Sequence, residues 1–318
     1  MFNQKFEVGS TFGIKAPKGA MVGGFQDETH PAIPVKNDGH VFNQEELRLL
    51  IAYLMNPSGD GLFLFGPTGS GKTSLVCQTA ARLNWPVQAV TGHGRLEAGD
   101  LIGHHTLVNG TMTFVDGPLT TAMREGHILL LNEGDQVDPS QLVALNDVIE
   151  GQPLVIAENG GEIVRPHQAF RVIVTGNSSG GGDATGLYQG VQMMNLAFKD
   201  RFLWLEVDYL QPEVEEQVLL KAVPGLLQDV AANMVKVAND VRALFKGQGS
   251  DGQQISVTLS TRTLIRWASI AVRAKGGSGI SNSLAYGLRP ALLARCEPEE
   301  AEAINRIAEA HFGDAWGA

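Results

Sequence analysis

The sequence predicts an α/β protein with a five-stranded parallel sheet flanked by helices, two β-hairpin inserts, and a small C-terminal all-helical domain. Three observations carry that expectation. Five short apolar runs, "GLFLFG", "PVQAV", "HILLLN", "RVIVTGN" and "FLWLEVDY", alternate with helical stretches. Such runs read as strands buried on both faces, and alternation with helices is the rhythm of a parallel sheet. After "QPEVEEQ" strands disappear, and Val230, Met234, Val237, Val241 and Leu244 recur at helical spacing. Two further stretches, "HTLVNGTMTFVDG" and "PLVIAENGGEIVRP", place Asn109-Gly110 and Asn159-Gly160-Gly161 between strand-like runs, a strong hairpin signal.

Taken in order, residues 1–40 are rich in Gly, Pro and Lys, show no periodicity, and read as an extended leader. "NQEELRLLIAYLM" then sets Leu47, Leu50, Ile51 and Leu54 on one helical face and opens an α/β domain over residues 41–211. Residues 212–318 form the helical domain. There "KGQGSDGQQ" reads as a loop, and Pro298 followed by Glu299 and Glu300 starts a helix over "EEAEAINRIAEAHF".

Composition removes several function classes. Among 318 residues, 34 Asp and Glu outweigh 24 Lys and Arg, a net charge of -10. With no basic run, a surface built to hold nucleic acid phosphates is not expected. Cys77 and Cys296 lie far apart and form no CxxC pair, which fits a reducing compartment. "MFNQKFEVGSTFG" lacks the cationic head and apolar stretch of a signal peptide, and no run approaches the roughly 20 apolar residues of a membrane span. A cytoplasmic protein without membrane association is the expectation. His104 and His105 are adjacent, so on a strand they point to opposite faces, and His93 has no ligand at metal-binding spacing. No protein-held transition metal is expected.

The chemistry concentrates in "GPTGSGKT", residues 66–73, which follows the strand "GLFLF" and opens the helix "SLVCQTAARL". It matches GxxxxGK[ST] in full. The glycines Gly66, Gly69 and Gly71, with Pro67, Thr68, Ser70 and the following Ser74, let backbone amides wrap phosphates at a helix N-terminus. Lys72 reaches the outer phosphates, and the Thr73 hydroxyl can sit on Mg²⁺. ATP or GTP with Mg²⁺ is therefore the expected ligand.

A nucleoside triphosphatase also needs acids on a second strand. "HILLLNE" ends in Asn132 and Glu133, where an Asp-Glu pair is usual. The second residue orients or deprotonates the attacking water, and Glu133 is present for that work. Asn132, on the metal side, can accept a hydrogen bond from a metal-bound water but adds no charge. Weaker Mg²⁺ affinity is expected, with Asp135 able either to compensate or to serve as structure. Asn177, at the tip of "RVIVTGN", is positioned to hold the water or to be a turn asparagine. Arg201 in "FKDRF" and Arg262 in "STRTLIRW" are either arginines for the γ-phosphate or surface ion pairs.

In this order, phosphate loop, acidic strand, Asn177, Arg201 and a helical lid with Arg262 resemble an AAA+ ATPase. The two hairpins fall where the inserts of the MoxR-type clade lie. "AARLNWP", "RPHQAFRVIVTGN", "GDATGLYQGVQMMNLAFKDRF", the leader "FGIKAPKGA" and "HPAIPVKNDGHVF" look like the small, AAA+ subunit of aerobic cobaltochelatase, so the resemblance covers essentially the whole chain. Asn132 departs from the Asp usual there. The resemblance implies a homo-oligomer, usually a hexameric ring, with ATP between subunits. It implies that Lys72, Thr73, Glu133 and Asn177 act in cis, that Arg201 is offered to the neighbour's γ-phosphate, and that Arg262 acts from the lid. It also implies a protein partner carrying a von Willebrand A domain. The expected function is a motor that hydrolyses Mg-ATP, slowly because of Asn132, to remodel or activate a protein partner. A nucleotide-gated scaffold with little turnover is the alternative, and a nucleic acid motor is disfavoured by charge.

Overall fold

A computed structural model describes residues 2–143, 145–182, 190–248, 254–275 and 280–317; for Val108 and Gly317 it describes the backbone alone. The chain divides into two compact units. Met1–Asp38, Phe42–Pro67 and Gly71–Asp208 form the first, and Gly39–Val41, Thr68–Ser70 and Tyr209–Ala318 the second. Residues 183–189, most of the "GDATGLYQG" stretch, lie outside the described residues.

The strands are, in chain order, β1 (Phe2–Glu7), β2 (Met21–Phe25), β3 (Gly61–Phe65), β4 (Val87–Thr91), β5 (Gly103–Val108), β6 (Thr111–Asp116), β7 (Ile128–Asn132), β8 (Leu154–Ile156), β9 (Glu162–Val164), β10 (Arg171–Gly176) and β11 (Phe202–Glu206). Each of the five apolar runs is a strand of one sheet, in the order β11-β3-β10-β7-β4, and every neighbouring pair is parallel. Strand alternation sends Leu62, Leu64, Leu130 and Ile173 into one core cluster. It sends Phe63, Leu129, Leu131, Val172 and Val174 into a second. Both faces are dry, which is why these runs are apolar throughout rather than at alternate positions.

The helix Gln44–Met55 starts at Asn43, whose side chain accepts from the Glu45 amide at 3.0 Å. Its Leu47, Leu50 and Leu54 are fully buried, and the Tyr53 hydroxyl donates to the Val172 carbonyl at 2.7 Å.

The first 40 residues depart from the extended leader the sequence predicts. β1 and β2 pair antiparallel. Val22, Phe12 and Phe25 are buried with the first core cluster, and the Phe2 ring lies 4.8 Å from that of Trp85. Local pattern hides this strand because its centre is Gly23-Gly24, which reads as a breaker. A Cβ at Gly24 would stand 2.3 Å from the Leu83 carbonyl oxygen. The glycine is thus a contact between backbones, not the end of an element.

Both hairpins form. β5 and β6 pair through Val108↔Thr111, with Asn109 at φ 51° and Gly110 at φ 83°. Left-handed geometry at both turn residues is what a two-residue loop between twisted strands requires. β8 and β9 pair across a longer loop, Ile156↔Glu162. Arg124 joins the two inserts, with Nε 2.7 Å from Asp116 and Nη2 2.8 Å from Glu162. Leu107, Met112, Val155 and Ile163 are exposed on them.

The second unit contains the helices Pro212–Ala222, Gln228–Phe245, Thr261–Ala274, Ser283–Ala291 and Pro298–Phe312. Trp267, Met234, Val237, Val241, Leu264 and Ile304 fill its core. Within that core lies a charge pair. Arg242 donates through Nη1 and Nη2 to the two carboxylate oxygens of Glu215, each at 2.7 Å, and through Nε to the Leu259 carbonyl at 2.9 Å. Thr261 donates to the same carboxylate at 2.5 Å, so this pair anchors the start of the helix that carries Arg262. Among the described residues no helix is long and apolar enough to cross a membrane.

Removing one partner of such a pair leaves a buried charge without compensation. Glu215→Ala should therefore lower the unfolding free energy of this unit by about 3–5 kcal/mol, read by urea denaturation. Replacing both residues by apolar ones of similar volume should cost far less.

Candidate functional site

The loop after β3 opens at Gly66, where φ is 143°. A Cβ there would stand 2.2 Å from the Val207 carbonyl oxygen, so only glycine lets the chain leave the strand at this point. The helix Lys72–Arg82 begins behind Gly71, at φ 106°, and has no side-chain cap. Its first amides are therefore directed at whatever lies ahead of the helix, the arrangement that suits an anion. The tip of the loop, Thr68–Ser70, groups with the second unit. There the Tyr209 hydroxyl donates to the Thr68 carbonyl at 3.0 Å, and Gly69 leaves no room for a Cβ beside Ser260. Ser70 Oγ is buried with no hydrogen-bond partner among the described residues.

Lys72 is buried although charged. Its Nζ donates to the carbonyls of Gly66 at 2.8 Å and Pro67 at 2.9 Å, and to Asn177 Oδ1 at 3.3 Å. Burial pulls its pKa down to about 8, against the opposing pull of Asp135 and Glu133. The next residue reaches the acidic strand: Thr73 Oγ1 donates to Asn132 Oδ1 at 2.7 Å. Thr175 on β10 also donates to that oxygen, at 3.4 Å, and accepts from the Glu133 amide at 3.3 Å. Asn132 presents an acceptor where a carboxylate would, without the charge.

Glu133 leaves β7 in the left-handed region, φ 52°. This turn exposes its side chain, and Oε2 accepts from Gln136 Nε2 at 2.5 Å. Asp135, two residues on, is fully buried. One of its oxygens accepts from the Asn177 amide at 2.6 Å and the Ser178 amide at 3.1 Å. Burial pushes its pKa up, while these amides and Lys72 oppose the rise.

One unit therefore brings Lys72, Thr73, Asn132, Glu133 and Asn177 to the carboxyl ends of β3, β7 and β10. Ser74 is exposed in the first helical turn. Arg201 is engaged elsewhere, with Nε 2.6 Å from Glu150 Oε1 and Nη1 donating to the Ala197 carbonyl at 2.6 Å. Arg262 is exposed at the second residue of its helix, in the other unit. Sequence reasoning passes over Thr175 and Gln136. Thr175 was visible only as the polar residue closing the apolar run "RVIVT", and Gln136 gave no signal. Among the described residues no group of three or more His, Cys, Asp or Glu can hold a metal ion, and Cys77 and Cys296 are free thiols.

Residues 61–202 match the AAA domain family of the dynein-related subfamily, and residues 215–311 match the C-terminal family of CbbQ, NirQ and NorQ proteins. Over 213 residues the chain is 30% identical to the protein NorQ of Paracoccus denitrificans, covering 67% of this chain and 73% of that one. The chain belongs to the MoxR-type AAA+ ATPases. The aerobic cobaltochelatase subunit CobS of a Sinorhizobium species is another relative of this AAA+ protein. It is 29% identical over 295 residues, covering 90% of this chain and 83% of its own. A Bacillus subtilis protein, YojN, is 28% identical over 273 residues, covering 85% and 84%. The match to the AAA domain begins at the first residue of β3 and ends at the first residue of β11, and so contains β3, β4, β7 and β10 of the parallel sheet in full.

A methyl group at position 66 has nowhere to go without moving β11 or the loop. Gly66→Ala should weaken binding of a fluorescent ATP analogue at least about tenfold, ~1.4 kcal/mol, with the melting temperature of the protein reported alongside.

Proposed function

We propose that this AAA+ protein assembles into a ring and hydrolyses Mg-ATP to remodel or activate a protein partner.

ATP is the substrate, and the observation that carries this reading is the Thr73–Asn132 contact at 2.7 Å, which joins the phosphate loop to the acidic strand beside Lys72, Glu133 and Asn177. The uncapped helix N-terminus, the glycine cradle and the buried Lys72 fit a triphosphate. Thr73 would hold Mg²⁺, with Asn132 accepting from a metal-bound water; the ion supplies neutralisation of charge on the phosphate oxygens.

In this reading Gly66, Pro67, Thr68, Gly69, Ser70 and Gly71 wrap the phosphates with their backbone, and Ser74 closes the first turn of the helix. Lys72 exchanges the carbonyls of Gly66 and Pro67 for phosphate oxygens. Glu133 takes the proton of the attacking water once it leaves Gln136, and Asn177 orients that water. Arg201 exchanges Glu150 for the γ-phosphate of a neighbouring subunit, which makes hydrolysis depend on assembly, and Arg262 acts from the lid as the sensor 2 arginine. By resemblance to MoxR-type proteins the ring is read as a hexamer and its partner as one bearing a von Willebrand A domain, and the name of one relative, a cobaltochelatase subunit, supports work beside another protein. The cytoplasm is the proposed location.

A second reading has its own observations. Asn132 brings no charge to the metal side, and Glu133 is hydrogen-bonded to Gln136. Both favour a nucleotide-gated scaffold that assembles on ATP and turns over little.

Phosphate release by the wild type, Lys72→Ala and Glu133→Gln separates these readings. Glu133→Gln should slow release by about 10²–10⁴-fold, the usual contribution of a positioned base, while retaining ATP binding. Lys72→Ala should lose binding, and equal rates in all three proteins would overturn the ATPase reading. If a nonhydrolysable analogue supports assembly and partner release as well as ATP does, the scaffold is favoured. Asn132→Asp should lower the Mg²⁺ concentration for half-maximal activity, and an unchanged requirement would remove Asn132 from the metal side.

A further inference from the structure

Asp135 has no exposed surface, and its Oδ1 has no hydrogen-bond partner among the described residues. Its other oxygen ties the turn after β7 to the turn after β10. Oδ2 receives both the Asn177 and the Ser178 amides, at 2.6 and 3.1 Å. These are the first two amides beyond the end of β10. A carboxylate accepting two backbone amides is a strong, directional clamp, because the charge strengthens each bond and burial keeps water from competing.

The last residue of β10 is built for this clamp. A Cβ at Gly176 would lie 3.0 Å from both Cγ and Oδ2 of Asp135 and 2.9 Å from the Phe63 ring. Glycine thus allows the carboxylate to approach the turn closely enough to reach both amides. On its other side Asp135 holds a further segment, since its carbonyl accepts from the Gln192 amide at 2.7 Å. At the far end of Asn177, the side-chain oxygen accepts from Lys72. Asn177 is therefore held twice, through its backbone by Asp135 and through its side chain by Lys72.

We propose that Asp135 is a positioning residue for hydrolysis, whose buried carboxylate clamps the Asn177–Ser178 turn and so aims the Asn177 side chain at the nucleotide. The inference rests on the ATPase reading given above. It differs from a role on the metal side, where the carboxylate would act on Mg²⁺ or on Lys72 directly. A clamp acts on the step that Asn177 serves, whereas a charge acting on Lys72 or Mg²⁺ changes binding.

The test uses the full chain, ATP and Mg²⁺. Asp135→Asn keeps the shape of the side chain and removes its charge. It should lower kcat at least about tenfold, ~1.4 kcal/mol of lost transition-state stabilisation, with the KM for ATP and the Mg²⁺ requirement changed less than about threefold. In an Asn177→Ala background it should cost nothing further, because the residue it positions is gone. Gly176→Ala, which crowds the carboxylate and keeps its charge, should reproduce the kcat loss and the same non-additivity. An unchanged kcat, a change confined to KM or Mg²⁺, or losses that add to that of Asn177→Ala would each overturn the clamp. A readout without turnover separates this from the parent reading. In nucleotide-free protein Asp135→Asn should speed hydrogen exchange of the Asn177 and Ser178 amides about tenfold over their wild-type rate, against unchanged exchange in the strand interior. Unaltered exchange at those amides overturns the clamp even if the wild type hydrolyses ATP, and a wild type that releases no phosphate overturns the ATPase reading while the exchange result still decides the clamp.

Discussion

The parallel ladder of the central sheet is the constraint on which the site depends. Parallel strands all leave the sheet at the same edge, so whatever follows their carboxyl ends is gathered there. The register sets the levels: Gly176 lies opposite Phe65, and Val174 opposite Leu131. Gly66 and Asn177 therefore leave their strands side by side, with Asn132 one residue beyond Leu131. A slip of one residue in β7 would turn Asn132 and Glu133 to the opposite faces of the sheet and drive Leu129 and Leu131 into the core cluster that Leu130 now fills. The apolar packing of both faces thus holds the chemistry in register.

Around that edge the molecule places polar groups where water is scarce. Lys72 and Asp135 are both buried, and each is desolvated at a cost that hydrogen bonds offset. Lys72 has three oxygen acceptors, and Asp135 has two amides on one oxygen. Their opposite charges also favour each other. Asn132 fits the same logic. Its amide oxygen satisfies the hydroxyls of Thr73 and Thr175 without adding a third acid beside Asp135 and Glu133.

The inserts sit outside this core and follow other rules. Their turns are specified locally by Asn109 and Gly110, but their relation to each other is set by Arg124, which reaches an acid on each. Those ion pairs are partly exposed, so they orient the hairpins more than they stabilise them. The apolar side chains of Leu107, Met112, Val155 and Ile163 remain in solvent.

Sequence by itself determined the five parallel strands, the hairpin turns, the helical C-terminal region and the phosphate loop. Each of these is governed by neighbours a few residues apart: apolar runs, glycine geometry, helical spacing and caps. It also marked Lys72, Thr73, Asn132, Glu133 and Asn177, because each closes or directly follows a strand or opens the helix behind the loop. Only the tertiary structure decided that the first 40 residues contain a strand pair, because Gly24 is explained by the Leu83 carbonyl 59 positions away in the chain. Only it showed Arg201 engaged with Glu150 and Asp135 accepting from the Asn177 amide. Those contacts join residues that are distant in sequence and carry no periodic signal, so no local pattern encodes them; packing two strands side by side creates them.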